Sequence, residues 1–220
     1  TLRHVPYTAP RATIRSSGWV TGGPALPYGL QKRHFEQAVE DLYDYLQTIN
    51  TTLVEHLGLD WQEHIVRPAA VSNVISDFMQ ASLARHVPGL VVNTGHNGHP
   101  DLIPPNTYPN DAVRAGDEGV EIKSTRGSVA DTHGARSGWV CQFNYWVDPE
   151  PVRAKRHPTM ITKILLAKVG EELFRRNERQ TELGTHTSTL DRDGLAVLRQ
   201  GAIYVDDRFG LTNKPIPGKI

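Results

Sequence analysis

The sequence predicts an α/β (α+β) chain in which helices gather early and strands follow. Two patterns carry that expectation. Between residues 31 and 57, Phe35, Val39, Leu42, Leu46, Ile49, Leu53 and Leu57 recur at three- and four-residue steps, the spacing of one helix face. After residue 89 the apolar residues collect instead in short β-prone runs bounded by Gly, Pro and Asn. With 220 residues, 38% of them apolar and 22% charged, the chain can bury a full core and is not of the disordered class. It reads as a single domain over 1–220. Residues 1–30 form an irregular N-terminal arm, 31–88 a helical part, 89–210 the sheet and 211–220 a tail.

The arm is rich in Pro and Gly and carries Arg3, His4, Arg11 and Arg15. It suits either a basic arm that wraps a partner or an extension packed on the body. Gly58 supplies the stop for the first helix. Asp60 and Glu63 resemble a capping box for a short helix ending near Pro68. A third helix follows, with Val71, Val74, Ile75, Phe78, Met79 and Leu83 on one stripe and Pro88-Gly89 at its end. Leu90–Asn93 reads as the first strand, Asn97-Gly98 as a hairpin signal, and His99–Ile103 as the returning strand. Residues 106–119 form a polar loop. Val120–Thr125, Ser137–Val147 and Met160–Val169 read as strands, the last also long enough for a helix. Leu173 and Phe174 suggest a strand or a helical turn. Ser188 or Thr189 would cap a helix carrying Leu190, Leu195 and Leu198, with Asp191 and Asp193 in its first turn and Gly201 at its end. Ala202–Val205 is the last strand, and the tail from Lys214 onward is expected to be loosely ordered.

The chemistry concentrates between residues 99 and 125. Asp101 follows Pro100, and Glu121-Ile122-Lys123 lies in a run with polar residues at alternate positions. On a strand, Glu121 and Lys123 share a face and Ile122 takes the other. Two carboxylates and an ammonium converging at a sheet edge suit a hard divalent cation and a phosphate. Oxygens of Asp101 and Glu121, the carbonyl of Ile122 and waters would hold Mg²⁺. Lys123 would place a point charge on a phosphate oxygen or orient a water. His96 and His99 beside Asp101 invite a zinc reading, but a histidine spacing of three with no third soft ligand nearby is a weak signal.

The arrangement Pro100-Asp101 … Glu121-Ile122-Lys123 resembles the PD-(D/E)xK nuclease superfamily, which includes most Type II restriction endonucleases. The motif is short, and the likeness covers about a third of the chain. It implies a restriction-endonuclease-like fold, a central mixed β-sheet of about five strands flanked by helices, with the site at one edge. It also implies a Mg²⁺-dependent, sequence-specific endodeoxyribonuclease in which a metal-activated water attacks a phosphodiester in line and leaves a 5′-phosphate. Asp101, Glu121 and Lys123 would be catalytic. Because a free lysine titrates near ~10.4, an electrostatic role suits Lys123 better than that of a base. The helix before the first core strand would add an acid, for which Asp77 is the candidate and Glu63 and Glu55 weaker ones. Double-stranded DNA is the implied substrate, and a homodimer suits cutting both strands of a palindrome. A repair, recombination or phage nuclease, or a non-catalytic DNA-binding module with a coincidental motif, are the alternatives.

Net charge is zero, with 24 basic and 24 acidic residues, so DNA binding must rest on local clusters. Candidates are the loop Arg153, Lys155, Arg156 and the group Arg175, Arg176, Arg179, His186, the second near a hydroxyl-rich run. Gln142 lies on the parity opposite to Cys141 and Phe143 and could face the site. No apolar run approaches the ~20 residues of a bilayer span. The absence of a signal-peptide pattern and a single cysteine, Cys141, predict a cytoplasmic protein without an internal disulfide.

Overall fold

A computed structural model describes residues 6–22, 25–128, 131–132, 134–177, 187–210 and 212–220. The long helix α1 spans Lys32–Leu57. The Gln31 side chain accepts from the His34 backbone N–H while His34 Nδ1 accepts from the Gln31 N–H, and Gly58 at φ 64° closes the C-terminus in the left-handed region that glycine tolerates. A short α2 covers Gln62–Ile65 and α3 covers Pro68–His86, with proline at its first position where no N–H is needed. The stripe Val71, Ile75, Met79 and Leu83 is buried against α1 and the sheet.

The expected box between Asp60 and Glu63 does not form. Asp60 Oδ1 accepts from the Trp61 N–H and pairs with Arg156, while Glu63 turns inward. There its two oxygens accept from Asn50 Nδ2 at 3.0 Å and Thr159 Oγ1 at 2.7 Å. A buried carboxylate satisfied twice by side chains outweighs a cap that solvent can replace.

Nine strands follow in chain order. They are Val91–Val92 (β1), Leu102–Ile103 (β2), Val120–Thr125 (β3), Asp131–Thr132 (β4), Gly138–Trp146 (β5), Met160–Val169 (β6), Phe174–Arg176 (β7), Ser188–Leu190 (β8) and Ala202–Val205 (β9), counted among the described residues. The main sheet has six of them rather than about five, in the order β1-β2-β3-β5-β6-β9. β3 and β5 are parallel and every other pair is antiparallel, so the sheet is mixed. A second sheet, β4-β8-β7, was not expected from the sequence. Ser188 and Thr189 are therefore strand residues and not caps. The helix α4, Arg192–Gln200, is capped instead by Asp191, whose Oδ1 accepts from the Gly194 N–H at 2.8 Å.

Register divides the main sheet into two faces. Ile122 pairs with Cys141 and Ser124 with Phe143, and this face packs under α1 and α3 as the larger core. Glu121 pairs with Val140 and Lys123 with Gln142 on the other face. Farther along that face, Leu165, Ala167 and Val169 join Leu190 and Leu198 in a smaller core under α4 and β8. Among the described residues no helix is long and apolar enough to cross a membrane.

The described parts of the arm and the tail are held to the body. In the arm, Arg11 pairs with Glu40 and Asp44 at 2.6 Å each, and Tyr7 N–H donates to Glu55 Oε2 at 2.8 Å. The arm's described part is thus an extension packed on α1, and Glu55 anchors it. In the tail, one residue makes contacts to the body. Asn213 is buried, accepts from Thr162 Oγ1, and donates to the carbonyls of Tyr145 and Arg126.

Candidate functional site

Asp101 sits where β2 parts from β3. Only Leu102 keeps register there, opposite Val120. Just before it, Pro100 has no N–H to offer and Asn93 captures the chain. Asn93 is buried; its amide donates to the carbonyls of Pro100 and Val113 at 2.9 and 2.8 Å and accepts from the N–H groups of Gly95 and Val113 at 2.9 and 3.0 Å. The Asp101 carbonyl accepts from the Asn93 N–H and, from α3, from Gln80 Nε2 at 3.0 Å. The Ile122 N–H is thereby left without a strand partner, and Asp101 Oδ2 accepts it at 2.7 Å. The returning strand is accordingly shorter than expected, because Asn93 and Gln80 hold residues 100–101 away from the ladder.

One residue along β3, Glu121 is 8% exposed. Lys123 Nζ lies 2.5 Å from its Oε1, and His99 Nδ1 lies 2.7 Å from its Oε2 without hydrogen-bond alignment, so Oε2 has no well-aimed donor. The two carboxyls respond oppositely. Burial, then the Glu121 charge, push Asp101 up to about 7 against the pull of Lys123 and the Ile122 N–H. Burial would raise Glu121 as well, but His99 and Lys123 outweigh it and hold that carboxyl down at about 2.

Two clefts meet at this group and share Asp101, Lys123 and Thr132. One, of about 420 Å³, runs along α3 past Ser72, Asn73, Ser76 and Asp77. The other, of about 450 Å³, holds His99, Glu121 and Arg136. Gln142, almost fully buried beside Lys123, donates to the Ser128 carbonyl at 3.1 Å and to Asn144 Oδ1 at 3.0 Å, tying the end of β3 to β5.

No protein-family model, curated protein or solved structure matches the chain. What the site can do therefore rests on its own geometry.

Asp101, Glu121 and Lys123 come together as the spacing suggested. Asp77 reaches the same cleft, but as an exposed residue on its α3 wall. Glu63 and Glu55 serve packing. Among the basic candidates, Arg156 is 7% exposed. Its guanidinium binds Asp60 at 2.9 Å and the carbonyls of Glu150 and Pro151 over the Trp61 ring. It is a strut, not a surface cation, because its loop folds back onto α2. Arg153 and Lys155 stay exposed, Arg153 over the Tyr7 ring, and Arg175 and Arg176 lie exposed on β7. Arg179 and His186 lie outside the described residues. Gln80 and Arg136 escaped the sequence as site residues, and His99 entered it only through the zinc reading. The proximity of His99 to Asp101 was visible, but its contact is with Glu121.

The donor set suits a divalent cation. Its oxygens are hard ligands, Glu121 Oε2 is buried with His99 as its near neighbour, and Asp101 lies beside a second negative charge. The Ile122 carbonyl leaves β3 on the same side as its N–H, toward Asp101. Among the described residues no three His, Cys, Asp or Glu side chains are grouped to hold a metal. Two carboxylates with positions left for water and substrate phosphate are the usual Mg²⁺ arrangement.

Proposed function

We propose that this chain is a Mg²⁺-dependent endodeoxyribonuclease of the Type II restriction kind, acting on double-stranded DNA as a homodimer. The observation that carries the reading is the meeting of Asp101, Glu121 and Lys123 at the junction of two clefts. A cation bound there would supply charge neutralisation at the phosphate and a lowered pKa for its water. The chain's own groups would do the rest. The Ile122 N–H and Gln80 fix Asp101 from two directions. Lys123, now paired with Glu121, is in reach to donate to a phosphate oxygen once that carboxylate is engaged elsewhere. Its charge then stabilises the negative charge that grows on the phosphate during attack.

The test is nicking of supercoiled plasmid in Mg²⁺ or Mn²⁺. Wild type should nick, whereas Asp101→Ala, Glu121→Ala and Lys123→Ala should each lose roughly 10²- to 10³-fold in rate. Discrete fragments with constant ends would support sequence specificity, and smears would favour a repair or recombination nuclease. A wild type inert with every divalent metal would refute the reading.

A further inference from the structure

The two clefts differ in chemistry. Granted the nuclease reading, on which the inference rests, that difference points to how a strand lies across them. The cleft along α3 offers hydroxyl and amide groups and the Asp77 carboxyl, with Asp101 and Lys123 at its border and Lys123 its lone Lys or Arg among the described residues. Several of its hydroxyls serve the fold, since Ser76 Oγ donates to Ser124 Oγ and Ser72 Oγ bonds the Tyr145 hydroxyl. Asn73 and Asp77 are exposed, and neither side chain forms a hydrogen bond or ion pair with another described residue. A carboxylate repels phosphate and only accepts hydrogen bonds, whereas a carboxamide both donates and accepts. Together they match a base edge and not a phosphodiester. The second cleft holds the Glu121 carboxyl, already paired with Lys123, and adds a guanidinium. Arg136 is exposed there, with no ion pair to another described residue, and its fork suits a phosphate.

We infer that the strand crosses the border at Asp101 and Lys123 with a nucleoside in the α3 cleft, read by Asn73 and Asp77. The adjoining phosphate is held on the other side by Arg136. Asp77 is then a reader of substrate and not a third carboxylate of the cation site.

Fluorescence anisotropy of a labelled duplex oligonucleotide, in Ca²⁺ across a salt series, tests the division. Unlabelled A·T-only and G·C-rich duplexes serve as competitors. Arg136→Ala should weaken binding about 3- to 10-fold at ~0.1 M salt and lower the salt slope by about one, while Arg136→Lys keeps the slope. Asn73→Ala should leave the slope alone and change the ratio of the two competitors' affinities at least about threefold. Both side chains are exposed, so melting temperatures should match wild type. An unchanged slope in Arg136→Ala, or an unchanged ratio in Asn73→Ala, overturns the division while leaving the nuclease reading standing. Failure of wild type to bind any duplex would retire that reading, and this inference with it.

Discussion

Asp101→Asn should make the metal-free protein more stable at neutral and alkaline pH. Asp101 is held at about 7 in the fold against an ordinary 3.8. Between those values the folded chain keeps a proton that the unfolded chain has released. Stability is thus fully present below the unfolded value and falls as pH rises toward 7, where the loss levels off. At about 1.36 kcal/mol for each pH unit between 3.8 and about 7, the loss comes to about 4 kcal/mol, or about 2 if the site relaxes around the charge. Asparagine keeps an acceptor for the Ile122 N–H and removes the titration. Thermal melts in EDTA from about pH 4.5 to about pH 8 should show the wild type losing roughly 5–15 °C relative to the variant. Glu121 adds an opposite slope, since its lowered value lends stability above its ordinary 4.5 that is lost toward pH 2. That contribution is common to both proteins. A divalent cation at about a hundred times its Kd should then restore about 2.7 kcal/mol to the wild type near pH 8 and far less to the variant. Parallel pH curves would show that Asp101 keeps its ordinary carboxyl value in the fold, and the part of the cation argument that rests on its raised value would go with it.

Asn93→Ala removes four hydrogen bonds around the turn that presents Asp101. It should cost about 2–4 kcal/mol in urea denaturation and weaken Ca²⁺ binding, read by calorimetry, although Asn93 touches no ligand. Arg156→Ala should cost about 2–4 kcal/mol and leave the salt slope of DNA binding unchanged, because Asp60 and two carbonyls hold that guanidinium. A slope that falls by about one would return Arg156 to the surface cations.

Much of the fold was legible where a single local rule spoke loudly. The apolar steps from Phe35 to Leu57 gave α1, and the β-prone runs gave β3, β5 and β6. The small sheet was not legible, because its strands are two or three residues long and their partners are distant: Thr132 pairs with Ser188. At Ser188 and Thr189 hydroxyl chemistry allowed a cap and a strand equally. Pairing with Arg176 and Arg175 decided for the strand. The site shows the same divide. Asp101, Glu121 and Lys123 follow from one strand's alternation and one turn. Gln80 and Arg136 arrive from α3 and from the loop before β5, and no spacing in the sequence announces them.

A purely structural account explains half of the acidic pair. Once Pro100 breaks the ladder, the Ile122 N–H needs an acceptor, and Asp101 provides one whether or not anything is hydrolysed. Glu121 has no such excuse. Its carboxylate bonds no backbone N–H among the described residues, it is buried beside Lys123, and a charge so placed is a poor way to stabilise a sheet. Removing Lys123 alone, as in Lys123→Met, should therefore cost about 3 kcal/mol by leaving the buried Glu121 charge to His99 alone. The double variant Glu121→Met with Lys123→Met should recover that loss and match or exceed wild type, since packed apolar side chains replace buried ion pairs without penalty. Plasmid nicking should be absent from both. A double variant markedly less stable than Lys123→Met would make the pair a structural device, and the case for selection on chemistry at Glu121 would fail.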